Sequence, residues 1–137
     1  MTEIIKKQLR AKINNLLEIY QGLKKLQKFT SKDLEKDVEK VWAVTFGLIA
    51  GIEAILDISQ YILGDKGIAV ESYGKIPEEL RKAGIIDKKF QEKMQKMIGF
   101  RNRAIHNYPS LEEKEVHRIL QENVDDFKEF LRITKKA

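Results

Sequence analysis

Residues Val41–Leu63 read VWAVTFGLIAGIEAILDISQYIL, and this stretch decides the fold class. Its longest apolar run, Val41 to Ile52, is interrupted by Glu53 and then by Asp57. About 20 apolar residues are needed to cross a bilayer, so the run reads as a buried helix and not as a membrane span. A helix that is apolar nearly all round must be covered on more than one side. One bundle covers one side, and a second copy of the chain is expected to cover another. The alternative is a central helix buried wholly within one bundle. Gly47, Gly51 and Ala54 fall on one stripe, where small residues let another backbone approach closely. Trp42 belongs here as a core or interface anchor.

Outward from that helix the pattern stays helical. Ile5, Leu9, Ile13, Leu16, Tyr20, Leu23 and Leu26 recur at three- and four-residue spacing, which predicts an amphipathic first helix. Thr30-Ser31 with Asp33 reads as a capping box that opens the second helix, and this helix is expected to run unbroken to Gly64-Asp65-Lys66-Gly67. Pro77-Glu78-Glu79 starts a short third helix that Gly84 closes. Asp87 caps a fourth helix running to about Asn107, which Pro109 stops. Ser110 and Glu113 read as a second capping box, opening one last helix. The expected fold is all-α: an antiparallel up-and-down bundle of four long helices and one short one, in a single domain over residues 1–137.

A chain of 137 residues with 42% hydrophobic side chains can bury a core without covalent staples. It has no cysteine, which excludes a disulfide framework, a thiol nucleophile and a Cys-ligated zinc, and fits a reducing compartment. No apolar signal core follows the N-terminal residues, so a cytoplasmic protein is expected. The net charge of +5 is unevenly spread. Between Arg81 and Arg103 eight basic residues face only Asp87 and Glu92. Such a patch favours phosphate-rich partners, nucleic acid above all, although a solvated Lys-rich helix face would look the same.

On a helical wheel Phe90, Met94, Met97, Ile98 and Ile105 form one apolar stripe of the fourth helix, and Arg101 falls in its middle. A guanidinium aimed at a core costs several kcal/mol unless it is paired or faces a polar cavity. Asp57 and Glu53 are the candidate partners. The pair can serve packing alone, or it can hold a working group. His106 lies about 140° around from Arg101, on the face of Asn102. One helix does not easily aim both side chains at one atom, whereas two copies facing each other across a two-fold axis can. A histidine at a helix C-terminus also simply complements the helix dipole. His117 is expected on solvated surface. No metal-site spacing, nucleophile elbow or phosphate-binding loop is present.

The run Arg101-Asn102-Arg103-Ala104-Ile105-His106-Asn107-Tyr108 resembles the Arg-x4-His-x-Tyr signature of the HepT-like branch of the HEPN superfamily. Ile52 to Ile58 is similar to that family's second helix, and Tyr73 to Pro77 with Leu80 to Ile86 to its short middle helix, so the likeness spans essentially the whole chain. It implies an all-helical homodimer whose paired motifs line a cleft. It implies a metal-independent endoribonuclease, the toxin of a toxin–antitoxin pair. It also implies a minimal nucleotidyltransferase antitoxin that transfers AMP from ATP to the motif tyrosine, here Tyr108. The chain itself would need no cofactor.

The residue chemistry suits that role. His106 can act as base or acid toward RNA. Arg101 can stabilise charge on the phosphate. Asn102 is expected to orient the imidazole, and Asp57 to hold Arg101. Lys93, Lys96 and Arg103 are expected to meet the RNA backbone, and Tyr108 to stack on a base. A different class of function is a non-catalytic helical subunit that binds substrate or nucleotide for a nucleotidyltransferase complex. Such a subunit would use Arg101 but would not need His106 as a proton carrier.

Overall fold

The computed structural model describes residues 2–136 as an up-and-down bundle, with no strand among the described residues. The helices are α1 (Glu3–Leu26), α2 (Ser31–Lys36), α3 (Val38–Asp65), α4 (Ile76–Lys82), α5 (Lys88–His106), α6 (Glu113–Glu122) and α7 (Asp125–Thr134). Single 3₁₀ turns at Tyr73–Lys75 and Tyr108–Ser110 join α3 to α4 and α5 to α6.

Most helix ends follow local chemistry. Thr30 Oγ1 accepts from the Asp33 N–H and Asp33 Oδ2 from the Thr30 N–H, which closes the expected capping box. Asp87 Oδ1 accepts from the Phe90 N–H at 2.8 Å and starts α5. Gly84 takes φ +77°, a conformation that costs glycine nothing, and ends α4.

Three expected boundaries are corrected. The helix begun at Ser31 is two helices, because Asp37 adopts an extended backbone and its carboxylate accepts from the Glu39 N–H as a fresh cap. The last helix is also two. At Asn123 and Val124 the backbone bonds tighten to three-residue spacing, and the Asn123 side chain turns to Asp126. No capping box forms at Ser110. Its hydroxyl donates to the Asn107 carbonyl inside the 3₁₀ turn, and α6 starts after Glu112 without a side-chain cap.

Helix α3 is long and apolar enough to cross a membrane by length and composition. Here it is the central helix, packed by α1, α2, α4, α5, α6 and α7. The small-residue stripe faces its own chain, which corrects the role proposed for it. A Cβ at Gly47 would lie 2.8 Å from Leu23 of α1, and one at Gly51 would strike the ring of Phe127 of α7. Across the core, Phe90 stacks on Phe130 with ring centroids 6.3 Å apart. Each of these fully buried aromatics contributes about 2–3 kcal/mol of hydrophobic stabilisation.

A different strip of α3 stays open. Val38, Trp42 and Phe46, spaced four residues apart on one face, are 54%, 54% and 73% exposed. Trp42 is thus no core anchor in the single chain. Ile105, expected on the buried stripe of α5, is likewise exposed at 46%.

Candidate functional site

The site is built around Arg101, because its position on α5 carries the side chain against α3 and the turn before α4. Its Nε donates to Glu53 Oε1 at 2.6 Å and its Nη1 to Asn102 Oδ1 at 2.9 Å. The guanidinium lies over the Tyr73 ring, 4.9 Å from the centroid. A carboxylate, an amide oxygen and an aromatic face therefore hold a cation whose side chain is only 18% exposed. A guanidinium carries five N–H donors in a planar fork, so others remain for an incoming anion.

This geometry decides between the two carboxylates. Glu53 takes Arg101, while Asp57, one turn further on, binds Lys12 of α1 at 2.8 Å. The expected Asp57–Arg101 support is thus replaced by Glu53. Asn102 is corrected in the same way. Its carbonyl oxygen is engaged by Arg101, so it braces the guanidinium instead of the His106 ring. Tyr73 enters the sequence reading only through the likeness of Tyr73–Pro77 to the family's short middle helix, with no part in the site. Its role lies 28 positions from Arg101 and leaves no periodic signal.

His106 is the last residue of α5 and is exposed, with no side-chain hydrogen bond or ion pair among the described residues. The Asn107 N–H closes the helix on the Arg103 carbonyl at 2.8 Å, and the chain turns through Tyr108–Ser110. Tyr108 is 37% exposed on that turn. His117 is half-buried on α6 and not fully solvated. Among the described residues no group of three or more His, Asp or Glu is placed to hold a metal ion.

The other face of α5 borders a cavity of about 620 Å³ shared with α3, α6 and α7, with Met97, Phe100, Ile119 and Phe127 among its walls. Two of the three cations expected to meet RNA are committed here. Lys93 binds Glu129 at 3.0 Å and Asp126 at 3.3 Å. Arg103 makes a two-pronged contact with Glu115, at 2.9 and 2.8 Å. The hydrogen bond to Glu129 raises the Lys93 pKa, and the Glu115 bonds raise that of Arg103. The same Arg103 bonds hold the Glu115 carboxyl below its usual range. Lys96 stays exposed at the rim of the cavity. The carboxylates that neutralise Lys93 and Arg103 come from α6 and α7, far along the chain, so the basic run looked freer in sequence than it is.

A helical bundle with an Arg-x4-His-x-Tyr run at the end of one long helix is the arrangement expected of the HepT-like family. The family model described as "Ribonuclease HepT-like" matches residues 16–133, and the chain belongs to that family. It is 32% identical over 83 residues to an Archaeoglobus fulgidus protein whose RNase assignment is itself provisional, a match spanning 61% of this chain and 63% of that protein. It is 24% identical over 126 residues to the mRNA nuclease HepT of Shewanella oneidensis, covering 90% of this chain and 95% of that one. In structure it is similar to the tri-AMPylated Shewanella oneidensis HEPN toxin solved in complex with its MNT antitoxin. The TM-score is 0.85 at 22% identity, over the full length of both chains.

Proposed function

We propose that this protein is a metal-independent endoribonuclease, the toxin of a toxin–antitoxin pair, acting as a homodimer with a composite site. The observation that carries the reading is the braced guanidinium of Arg101, held by Glu53, Asn102 and Tyr73 on the helix that ends in His106. In the mechanism His106 of one copy takes the proton from an RNA 2′-hydroxyl. The 2′-oxygen attacks the neighbouring phosphorus, and Arg101 of the second copy stabilises the charge of the phosphorane. The 5′-oxygen leaves with a proton from water, giving a 2′,3′-cyclic phosphate and a free 5′-hydroxyl.

The second copy is supported by the open strip Val38-Trp42-Phe46, which lies on α3 ahead of Glu53. An exposed apolar strip of this kind marks an association surface. Lys96 remains a contact for the RNA backbone. The neutralising partner is a minimal nucleotidyltransferase that uses ATP to place AMP on Tyr108, whose exposed position on a turn suits such transfer. Its bulk and charge would block the path of RNA phosphate. The lack of cysteine suits a cytoplasmic setting.

The test is cleavage of RNA in EDTA by the purified protein, abolished by His106→Ala. Cleavage that persists in His106→Ala overturns the assignment. The free, unbraced imidazole of His106 favours one other reading, a non-catalytic binding subunit of a nucleotidyltransferase complex. In that case Arg101→Ala weakens nucleotide or RNA binding, and His106→Ala changes nothing.

A further inference from the structure

We infer that the Arg103–Glu115 pair is a clamp that positions the segment carrying His106 and Tyr108, and that Arg103 acts as a positioning residue and not as an RNA contact. The inference rests on the ribonuclease reading for its functional consequence, but not for its structural one.

The segment between the two residues contains the end of α5, the 3₁₀ turn and the start of α6. Residues 105–110 are all exposed. The backbone bonds that shape the turn run from Asn107 to Arg103, from Ser110 to Asn107 and from Leu111 to Tyr108. All span three or four residues. They set the curvature of the turn but do not fix where α6 begins relative to α5. Helix α6 lacks a side-chain cap, and the cavity opens between its wall and that of α5. Among the described residues of the turn and its flanks, half-buried Leu111 packs against the core, while residues 105–110 are exposed.

Across this gap Arg103 and Glu115 form two parallel N–H···O bonds, the geometry that fixes both distance and orientation. Glu115 sits in the first turn of α6, so the pair ties the helix start directly to the last turn of α5. Further back, Lys93 ties α5 to α7 through Asp126 and Glu129. The two straps hold the walls of the cavity at opposite ends. The one at Arg103 governs the turn where the motif histidine and tyrosine sit.

The experiment compares the full-length protein with Glu115→Ala and with the swapped pair Arg103→Glu/Glu115→Arg. Alanine keeps helix propensity, so α6 itself should persist. In Glu115→Ala, hydrogen exchange at the hydrogen-bonded amides of Asn107, Ser110, Leu111 and Val116 is expected to speed up about tenfold through local opening. RNA cleavage should fall in kcat by about tenfold with KM little changed, as for misplacement of reacting groups. The swapped pair should restore both. Unchanged exchange in Glu115→Ala overturns the clamp. So does a fall in KM, because releasing an RNA-binding Arg103 from its carboxylate would tighten RNA. A wild-type protein that cuts no RNA sinks the ribonuclease reading alone, and the exchange data still decide the clamp.

Discussion

Arg101 of α5 and Glu53 of α3 meet through a hydrogen bond of 2.6 Å, and this contact sets the position of the one guanidinium that lies over an aromatic ring at the site. The pair is partly exposed, so its worth to stability lies near that of a surface ion pair. Glu53→Gln is expected to cost about 1 kcal/mol in chemical denaturation. Its larger effect should fall on RNA cleavage, which is expected to drop roughly tenfold as the cation loses its orientation. Arg101→Lys should be no milder than Arg101→Ala, because an ammonium has neither the fork nor the planar stack. Full activity in Arg101→Lys would show that only the charge matters.

A composite site makes a quantitative prediction for mixed dimers. Arg101→Ala and His106→Ala chains are each inactive, and half of the dimers formed on mixing carry one of each. Such a dimer keeps one intact site out of two if Arg101 and His106 act across the interface, so about a quarter of wild-type activity returns on isologous pairing. No recovery would mean that both groups act within one chain. Phe46→Glu, on the open strip, should give a folded monomer in sedimentation and remove the complementation.

The glycines of α3 separate core packing from association. Gly51→Ala drives a methyl group into the buried ring of Phe127 and is expected to destabilise by about 1–3 kcal/mol. Gly47→Ala meets only the end of the Leu23 side chain, which can turn aside, so its cost should be smaller. Both changes should leave the dimer intact. Dissociation by Gly47→Ala at unchanged thermal stability would return that stripe to the interface.

Tyr20 and Asp125 give the stability a pH signature. The Tyr20 hydroxyl donates to Asp125 Oδ1 at 3.0 Å. That bond, aided by Lys24, holds the Asp125 carboxyl below the ordinary 3.8. Burial and the same bond raise Tyr20 above 10.0. The Asp125 contribution is whole above the ordinary carboxylate value and is lost as the pH falls through the lowered one. The Tyr20 contribution is whole below 10.0 and is lost as the pH rises through the raised one. Tyr20→Phe should therefore lower the unfolding free energy slightly at neutral pH, by a few tenths of a kcal/mol given the exposure of Asp125. The gap from wild type should close at both ends of the pH scale. A gap that persists in acid would mean that the ring packing, and not the hydrogen bond, is what phenylalanine disturbs.

The sequence alone determined what rests on neighbours within about four residues. The Thr30–Asp33 box, the Asp87 cap, the Gly84 stop and the apolar period of each helix are of this kind, and so is the motif that ends α5. The same local reading was too coarse at Asp37 and Asn123, where a helical period continues through a break in the backbone. Everything that depends on which surface meets which was decided by the tertiary structure. It assigned Glu53 and not Asp57 to Arg101, turned Gly47 and Gly51 toward their own chain, and gave Lys93 and Arg103 their carboxylates. The reason is geometric. Glu53 and Asp57 differ by one helical turn and carry the same charge, so periodicity cannot rank them. Only the packing of α5 and α1 on α3 sets the height at which each cation arrives.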